Sequence, residues 1–395
     1  MSAPRPGALR TVAALIAAVT LTATGCAPDR PAIAGPRAGC ITDFDPAVDY
    51  FPDKSTVLDA VNFRLDYHRS YQVLTVEQPY PGGRPVSYVL VRCGAPAPEL
   101  TGDLARAQQI STPVTGLFST STTHLGMLAE LDRTDVVTGV GNPALVVNPA
   151  IRDRRTVGFA PGGRLNVEAV LGAAPDVLVT GGLDDPGYPR LRDAGIGVVA
   201  DAEWLEPSPL GRAEWVKVFA ALTGTERRAA QVYDGVRTAY RRLADGAAGT
   251  APADVLPGSM HQGIWSMPTG SGYAGRLIAD AGGAYPWAAA AGPEWLKLNF
   301  ESVYARAGRA PLWLVTDDWR TLPDAVAADP RYAELAALRD GGVWSATRTL
   351  GPGGGNDYWE RGTARPDLIL ADLIAILHPD AARDHRFEFY RQVAA

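Results

Sequence analysis

The sequence predicts an α/β protein of two lobes joined by a long helix, with a β-rich extension ahead of them. Three observations carry that prediction. From about Pro113 onward, short apolar runs alternate with amphipathic stretches, which is how parallel strands and their covering helices read. A helical passage interrupts the alternation in mid-chain. A six-residue pattern then occurs once on each side of it, as Leu165-Asn166-Val167-Glu168-Ala169-Val170 and Leu298-Asn299-Phe300-Glu301-Ser302-Val303. Each copy runs into a similar strand, Val177–Thr180 and Leu314-Val315-Thr316, so two related lobes about one helical spine is the simplest account. The 395 residues, 46% hydrophobic, suffice for two cores.

Taken in order, the chain opens with Arg5 and Arg10, an apolar run Thr11–Leu21, and Ala23-Thr24-Gly25-Cys26. A charged start, a short apolar stretch and small residues make residues 1–25 a signal peptide, too short for a spanning helix. A Cys directly after the small residues resembles a bacterial lipobox, which implies lipid on Cys26 and stable membrane anchoring. The alternative is ordinary secretory cleavage. Residues 26–39, rich in Pro, Ala and Arg, read as a tether. Two cysteines remain, Cys40 and Cys93; outside the cytoplasm such a pair is expected as a disulfide rather than two buried thiols. Closing that loop would restrict the unfolded chain by about 4 kcal/mol in the entropic picture.

Net charge is −6, and the leader contributes only arginines, so the exported part is more acidic still. No basic stripe interrupts it, which argues against nucleic acid as a partner.

Residues 40–105 form the extension, with Tyr71–Val76 and Val86–Val91 as strands about a Pro81-Gly82-Gly83 turn. The N-terminal lobe is expected over 106–205, with strands at Val114–Leu117, Val136–Val140, Val177–Thr180 and Val198–Ala200. Linking helices follow over 206–249. Ser208-Pro209 offers an N-cap and first-turn proline. Trp215, Val218, Phe219 and Leu222 then mark one apolar face, and a second helix runs from Thr225 through Val232, Val236 and Tyr240 to Leu243. The C-terminal lobe is expected over 250–395, with strands at Gly263–Trp265, Leu312–Thr316 and Val343–Ser345 and a closing helix, Pro366–Leu377.

Two stretches resemble the helix-linked, class III periplasmic binding proteins of ABC importers for ferric siderophores, haem and vitamin B12. The first is Leu165-Asn166-Val167-Glu168 leading to Ala174-Pro175-Asp176-Val177-Leu178-Val179. The second is Asn356-Asp357-Tyr358-Trp359-Glu360-Arg361-Gly362 into Arg365-Pro366-Asp367-Leu368. The resemblance covers about 113–395 and implies two Rossmann-like lobes and no enzyme activity. It also implies an extracytoplasmic monomer whose partners are a permease with its ATPase and a metal-chelate solute. No resident cofactor is expected; iron or cobalt would arrive within the solute. By the same resemblance Glu168 and Glu301 would dock onto permease arginines, a pairing that gives geometry as well as attraction. The plainer reading is that each Glu sits in a first helical turn behind an Asn cap, where the helix dipole favours acid.

The solute should lie against loops after the strand carboxyl ends. Those loops offer Thr122, His124, Trp204, Tyr273, Asn356, Tyr358, Trp359 and Arg361 as contacts, with Trp265 and Trp287 close by. Aromatic walls with a few polar groups suit a bulky, partly apolar ligand. No metal site is expected, because the five histidines are dispersed and no CxxC is present. Two other function classes stay open. Gly270-Ser271-Gly272-Tyr273-Ala274-Gly275 is a literal G-x-G-x-x-G and would suit a nucleotide-dependent enzyme, although Glu294 is a poor candidate for the ribose acid. An adhesive or structural lipoprotein would explain the anchor but not the paired glutamates.

Overall fold

The computed structural model describes residues 39–290 and 294–395; the signal peptide, Cys26 and the tether up to residue 38 lie outside them. No helix among the described residues is long and apolar enough to cross a membrane.

The extension forms a four-stranded sheet in the order β1 (Phe63–Tyr67), β2 (Tyr71–Val76), β3 (Val86–Arg92), β4 (Gln108–Thr112). The first three strands meander antiparallel, and β4 joins β3 in parallel. The sequence indicates β2 and β3. The polar β4 is not legible from its own residues, because its role is to abut the next sheet. A disulfide joins Cys40 to Cys93.

The N-terminal lobe carries five parallel strands, β5 (Leu117–Ser119), β6 (Val137–Val140), β7 (Val157–Gly158), β8 (Val177–Thr180) and β9 (Gly197–Ala200). Their spatial order is β7-β6-β5-β8-β9, so the chain reverses direction across the sheet at β5. Gln108 of β4 bonds both backbone groups of Val198, at 3.0 and 3.2 Å, and Tyr88 Oη accepts from Ala200 N. The extension thereby covers the outer edge at β9, which would otherwise stay unpaired.

The C-terminal lobe contributes β10 (Ala253–Pro257), β11 (Met260–His261), β12 (Ile264–Pro268), β13 (Gly283–Ala284), β14 (Trp295–Leu298), β15 (Leu312–Val315), β16 (Val343–Ser345) and β17 (Arg391–Gln392). One sheet runs β13-β10-β15-β16-β17, parallel except for β17; β11-β12-β14 form a small antiparallel sheet beside it. The two lobes have separate sheets, and β10 repeats the reversal seen at β5. The echoed pattern sits at matching places. The Val167–Ala173 helix enters β8 beside β5, and the Phe300–Ala307 helix enters β15 beside β10.

Between the lobes runs a 22-residue helix, Glu226–Ala247, roughly 33 Å long. It buries Ala229, Tyr233, Val236 and Tyr240, spaced along one face. The helices before it, Pro209–Glu214 and Val216–Thr223, differ from expectation. Every residue from Pro209 to Thr223 is buried, including Glu214 and Lys217 on the face that the periodicity assigns to solvent. The extension covers that face. Glu214 accepts hydrogen bonds from the backbone N–H groups of Leu58, Asp59 and Ala60 at 2.6–2.7 Å. It also pairs with Lys217, which donates to Thr56 O. Glu206 takes the next two, Val61 and Asn62, and the indole N–H of Trp215. Such charges survive burial because donors surround them.

Candidate functional site

Each lobe opens a cavity at its reversal point, where diverging crossovers leave a crevice at the strand carboxyl ends. In the N-terminal lobe it measures about 740 Å³. Ser119 at the end of β5 with Thr120–Thr122 after it, Gly141-Asn142 after β6, Gly162-Gly163 after β7 and Leu183–Asp185 after β8 line it. In the C-terminal lobe a cavity of about 410 Å³ is lined by Gly258 and Ser259 after β10, Thr316 after β15, and His261, Trp295, Tyr358, Trp359 and Tyr390. Trp295 and Trp359 keep more than a third of their surface exposed.

The rims of the two cavities lie on elements in contact. The Thr122–Glu130 helix packs on the Asp357–Glu360 helix so closely that a Cβ on Gly126 would come 1.8 Å from Glu360 O. Glu360 reaches across the lobes, and its two oxygens accept from Val147 N and Asn148 N, each at 2.7 Å. Burial raises the Glu360 pKa. On the linking-helix side, Arg212 donates to Glu294 at 2.9 Å and lies 4.2 Å over the Tyr273 ring.

Of the eight ligand contacts named from sequence, three line these cavities: Thr122 in the first, Tyr358 and Trp359 in the second. Trp204 is half-buried and donates its indole N–H to Gly181 O, bracing a cavity loop. Asn356 caps the Asp357–Glu360 helix and bonds Ala346 O. Arg361 is tied down by Asp357 and Glu388 over the Phe389 ring. Two more, Tyr273 and His124, line neither cavity. Tyr273 lies buried beneath Arg212. His124 is fully buried, because its helix turns the ring inward against Phe219, where Nδ1 meets Ser119 Oγ at 2.9 Å. Trp265 and Trp287 are core residues too, Trp265 in a cluster with Trp313 and Tyr332.

His124, Asp201 and Glu203 are the one group of three or more His, Cys and acidic side chains among the described residues with the spacing of cation ligands. The histidine is readable in the sequence; that Asp201 folds back onto it is not.

The glycine-rich loop is filled by the chain itself. A Cβ on Gly270 would meet Ala288 O at 1.7 Å, so its glycine serves a backbone packing contact.

Glu168 and Glu301 stand on the surface, each two residues after an Asn whose side chain caps the helix, accepting from Ala169 N and Ser302 N. Each meets one exposed arginine, Arg190 at 2.5 Å and Arg331 at 3.5 Å. Exposed pairs of this kind hold a side chain weakly.

Comparison with known proteins agrees with the topology. An uncharacterized lipoprotein of Methanocaldococcus jannaschii is 27% identical over 62% of this chain and 58% of its own length, so the match spans little more than half of that relative. A second from the same organism is 20% identical over 78% of this chain and 80% of its own. Among solved structures, a periplasmic binding protein from Veillonella parvula has a TM-score of 0.56 at 13% identity, covering 78% of this chain and 99% of that one. A periplasmic haem-binding protein from Pseudomonas aeruginosa has 0.54 at 20%, covering 71% and 99%. Another from Roseiflexus sp. RS-1 has 0.54 at 22%, covering 68% and 98%. The family described as periplasmic binding protein matches residues 117–348, more than half of the chain. With two lobes, a helical spine and a cavity at each reversal point, this chain belongs to the periplasmic binding protein family.

Proposed function

We propose that the chain is the extracytoplasmic solute-binding protein of an ABC importer, a monomer anchored through lipid on Cys26. It captures an iron complex, siderophore or haem, or cobalamin, and hands it to the permease. One observation carries this reading: each lobe pairs a cavity at its reversal point with an identically placed, Asn-capped, exposed glutamate. A carrier that docks through both lobes would use one such glutamate on each, with the solute held where the lobes face one another. The C-terminal cavity, with Trp295, Tyr358, Trp359 and Tyr390, offers flat apolar faces to a large planar or chelated solute. Glu360 ties one lobe to the other, and the Arg212–Glu294 pair ties the linking helices to the C-terminal lobe, which favours small closure over a wide hinge.

The test is titration of the purified chain with haem, ferric siderophores and cobalamin, followed by tryptophan fluorescence. The reading expects saturable quenching at one equivalent for one of these classes. Saturable binding of a nicotinamide or adenine nucleotide, with none of the three chelates bound, would replace it.

A further inference from the structure

Beneath the floor of the N-terminal cavity lies a buried polar cluster in which His124 Nε2 and Asp201 Oδ2 have no hydrogen-bond partner. Ser119 Oγ donates its only proton to Ser121 O at 2.7 Å, so at 2.9 Å from His124 Nδ1 it must accept. That fixes the imidazole with its proton on Nδ1 and a bare lone pair on Nε2. The Nε2 atom points at Asp201 Oδ2 across 3.7 Å, too far for a hydrogen bond, and neither atom has a partner. The other Asp201 oxygen accepts from Glu203 N at 2.9 Å. Side chains of His124 and Asp201 are wholly buried, and Glu203 is nearly so. Two acceptors therefore face each other in a buried site, with a second carboxylate within 4.8 Å of both.

We propose that His124, Asp201 and Glu203 bind a divalent first-row transition cation, of the zinc or manganese class, between β9 and the Thr122–Glu130 helix. Atoms 3.7 Å apart would subtend about 120° at a cation bonded to both at about 2.1 Å, within the range of open tetrahedral sites. One imidazole with two carboxylates suits zinc, manganese(II) or iron(II) better than calcium or magnesium, which favour all-oxygen shells. Two carboxylate charges neutralise the dication, which accounts for two adjacent buried acids with no arginine hydrogen-bonded to Asp201. The Ser119 hydroxyl supplies the outer hydrogen bond that orients a ligating histidine. Burial lowers the His124 pKa to about 4, so the ring is neutral and ligand-competent at ordinary pH. The site would pin the cavity floor to the loop that carries Trp204, and it is distinct from the transported solute.

The experiment unfolds the exported chain in urea with chelator, refolds it with Zn²⁺, Mn²⁺ or neither, and measures metal content by mass spectrometry after desalting. Co²⁺ in place of Zn²⁺ gives a visible absorption that reports its ligand field. The expected result is one tightly held equivalent per chain, a higher melting temperature, and loss of both in Asp201→Asn and Glu203→Gln. These two variants keep side-chain size and remove charge, so they should fold without metal. His124→Asn should also lose the cation. Retention of a full equivalent by Asp201→Asn would overturn the proposal as adventitious binding elsewhere. So would a wild-type chain that refolds equally stable and metal-free with either ion, leaving a proton shared by the two acids.

Discussion

Glu168 and Glu301 occupy the same position in two equivalent helices, one per lobe, and each leaves 71% of its side chain exposed. Helix capping alone accounts for the asparagines but not for a matched pair of protruding acids. An exposed first-turn acid stabilises a helix by well under about 1 kcal/mol in salt. Under the proposed function, the pair would be met by one partner that contacts both lobes at once.

The extension should prove inseparable from the spine. Glu214 holds three backbone N–H groups and Lys217 without solvent. Glu214→Gln should cost about 3–5 kcal/mol in urea unfolding, because it leaves a buried lysine uncompensated. Adding Lys217→Met should recover part of that loss. A cost under about 1 kcal/mol would mean that the extension is held by its other contacts.

At the C-terminal cavity, Trp359 is exposed and stacks edge-on against buried Tyr358. Trp359→Ala should weaken solute affinity roughly tenfold or more while lowering the melting temperature little, the expectation for an aromatic anchor at a rim. Equal losses in folding and binding would assign it to packing instead.

Asp59 gives a pH signature. Burial pushes its pKa up, but hydrogen bonds from Tyr233 and Arg237 and the charges of Arg237 and Arg241 outweigh it, so the net shift is downward. A carboxyl with a depressed folded pKa stabilises fully above its unfolded value near 3.8 and loses that contribution as pH falls through the folded one. Asp59→Asn should therefore cost about 1–2 kcal/mol at pH 5–7. That difference should shrink below pH 4 in parallel denaturation curves. A gap that widens on acidification would reverse the sign.

What the sequence made legible follows from locality. Val177–Thr180, Val343–Ser345 and Pro366–Leu377 form the elements read from them, since the strands are short apolar runs and the helix opens on a first-turn proline. The lobed plan was legible because Asn166 and Asn299 cap helices at corresponding places. The burial of Glu214 and Lys217 was not, because the backbone that satisfies them lies about 155 residues earlier in the chain. The same holds for β4, whose Gln108 looks like surface until Val198 is beside it. Tyr358 and Trp359, named from glycine-rich and charged flanks, line the C-terminal cavity. Tyr273 and His124 lie at loop-to-helix junctions that look the same in sequence, yet their helices turn them inward.

The most direct measurement is transport with the two glutamates reversed. Glu168→Arg/Glu301→Arg should bind solute with unchanged affinity and melt within a few degrees of the wild type. Paired with its cognate permease and ATPase, it should lose most solute uptake and most stimulated ATP hydrolysis. Glu168→Ala/Glu301→Ala should fall between, because alanine removes attraction without adding repulsion. Normal uptake by the double arginine variant would contradict the account and leave both glutamates as helix-end charges.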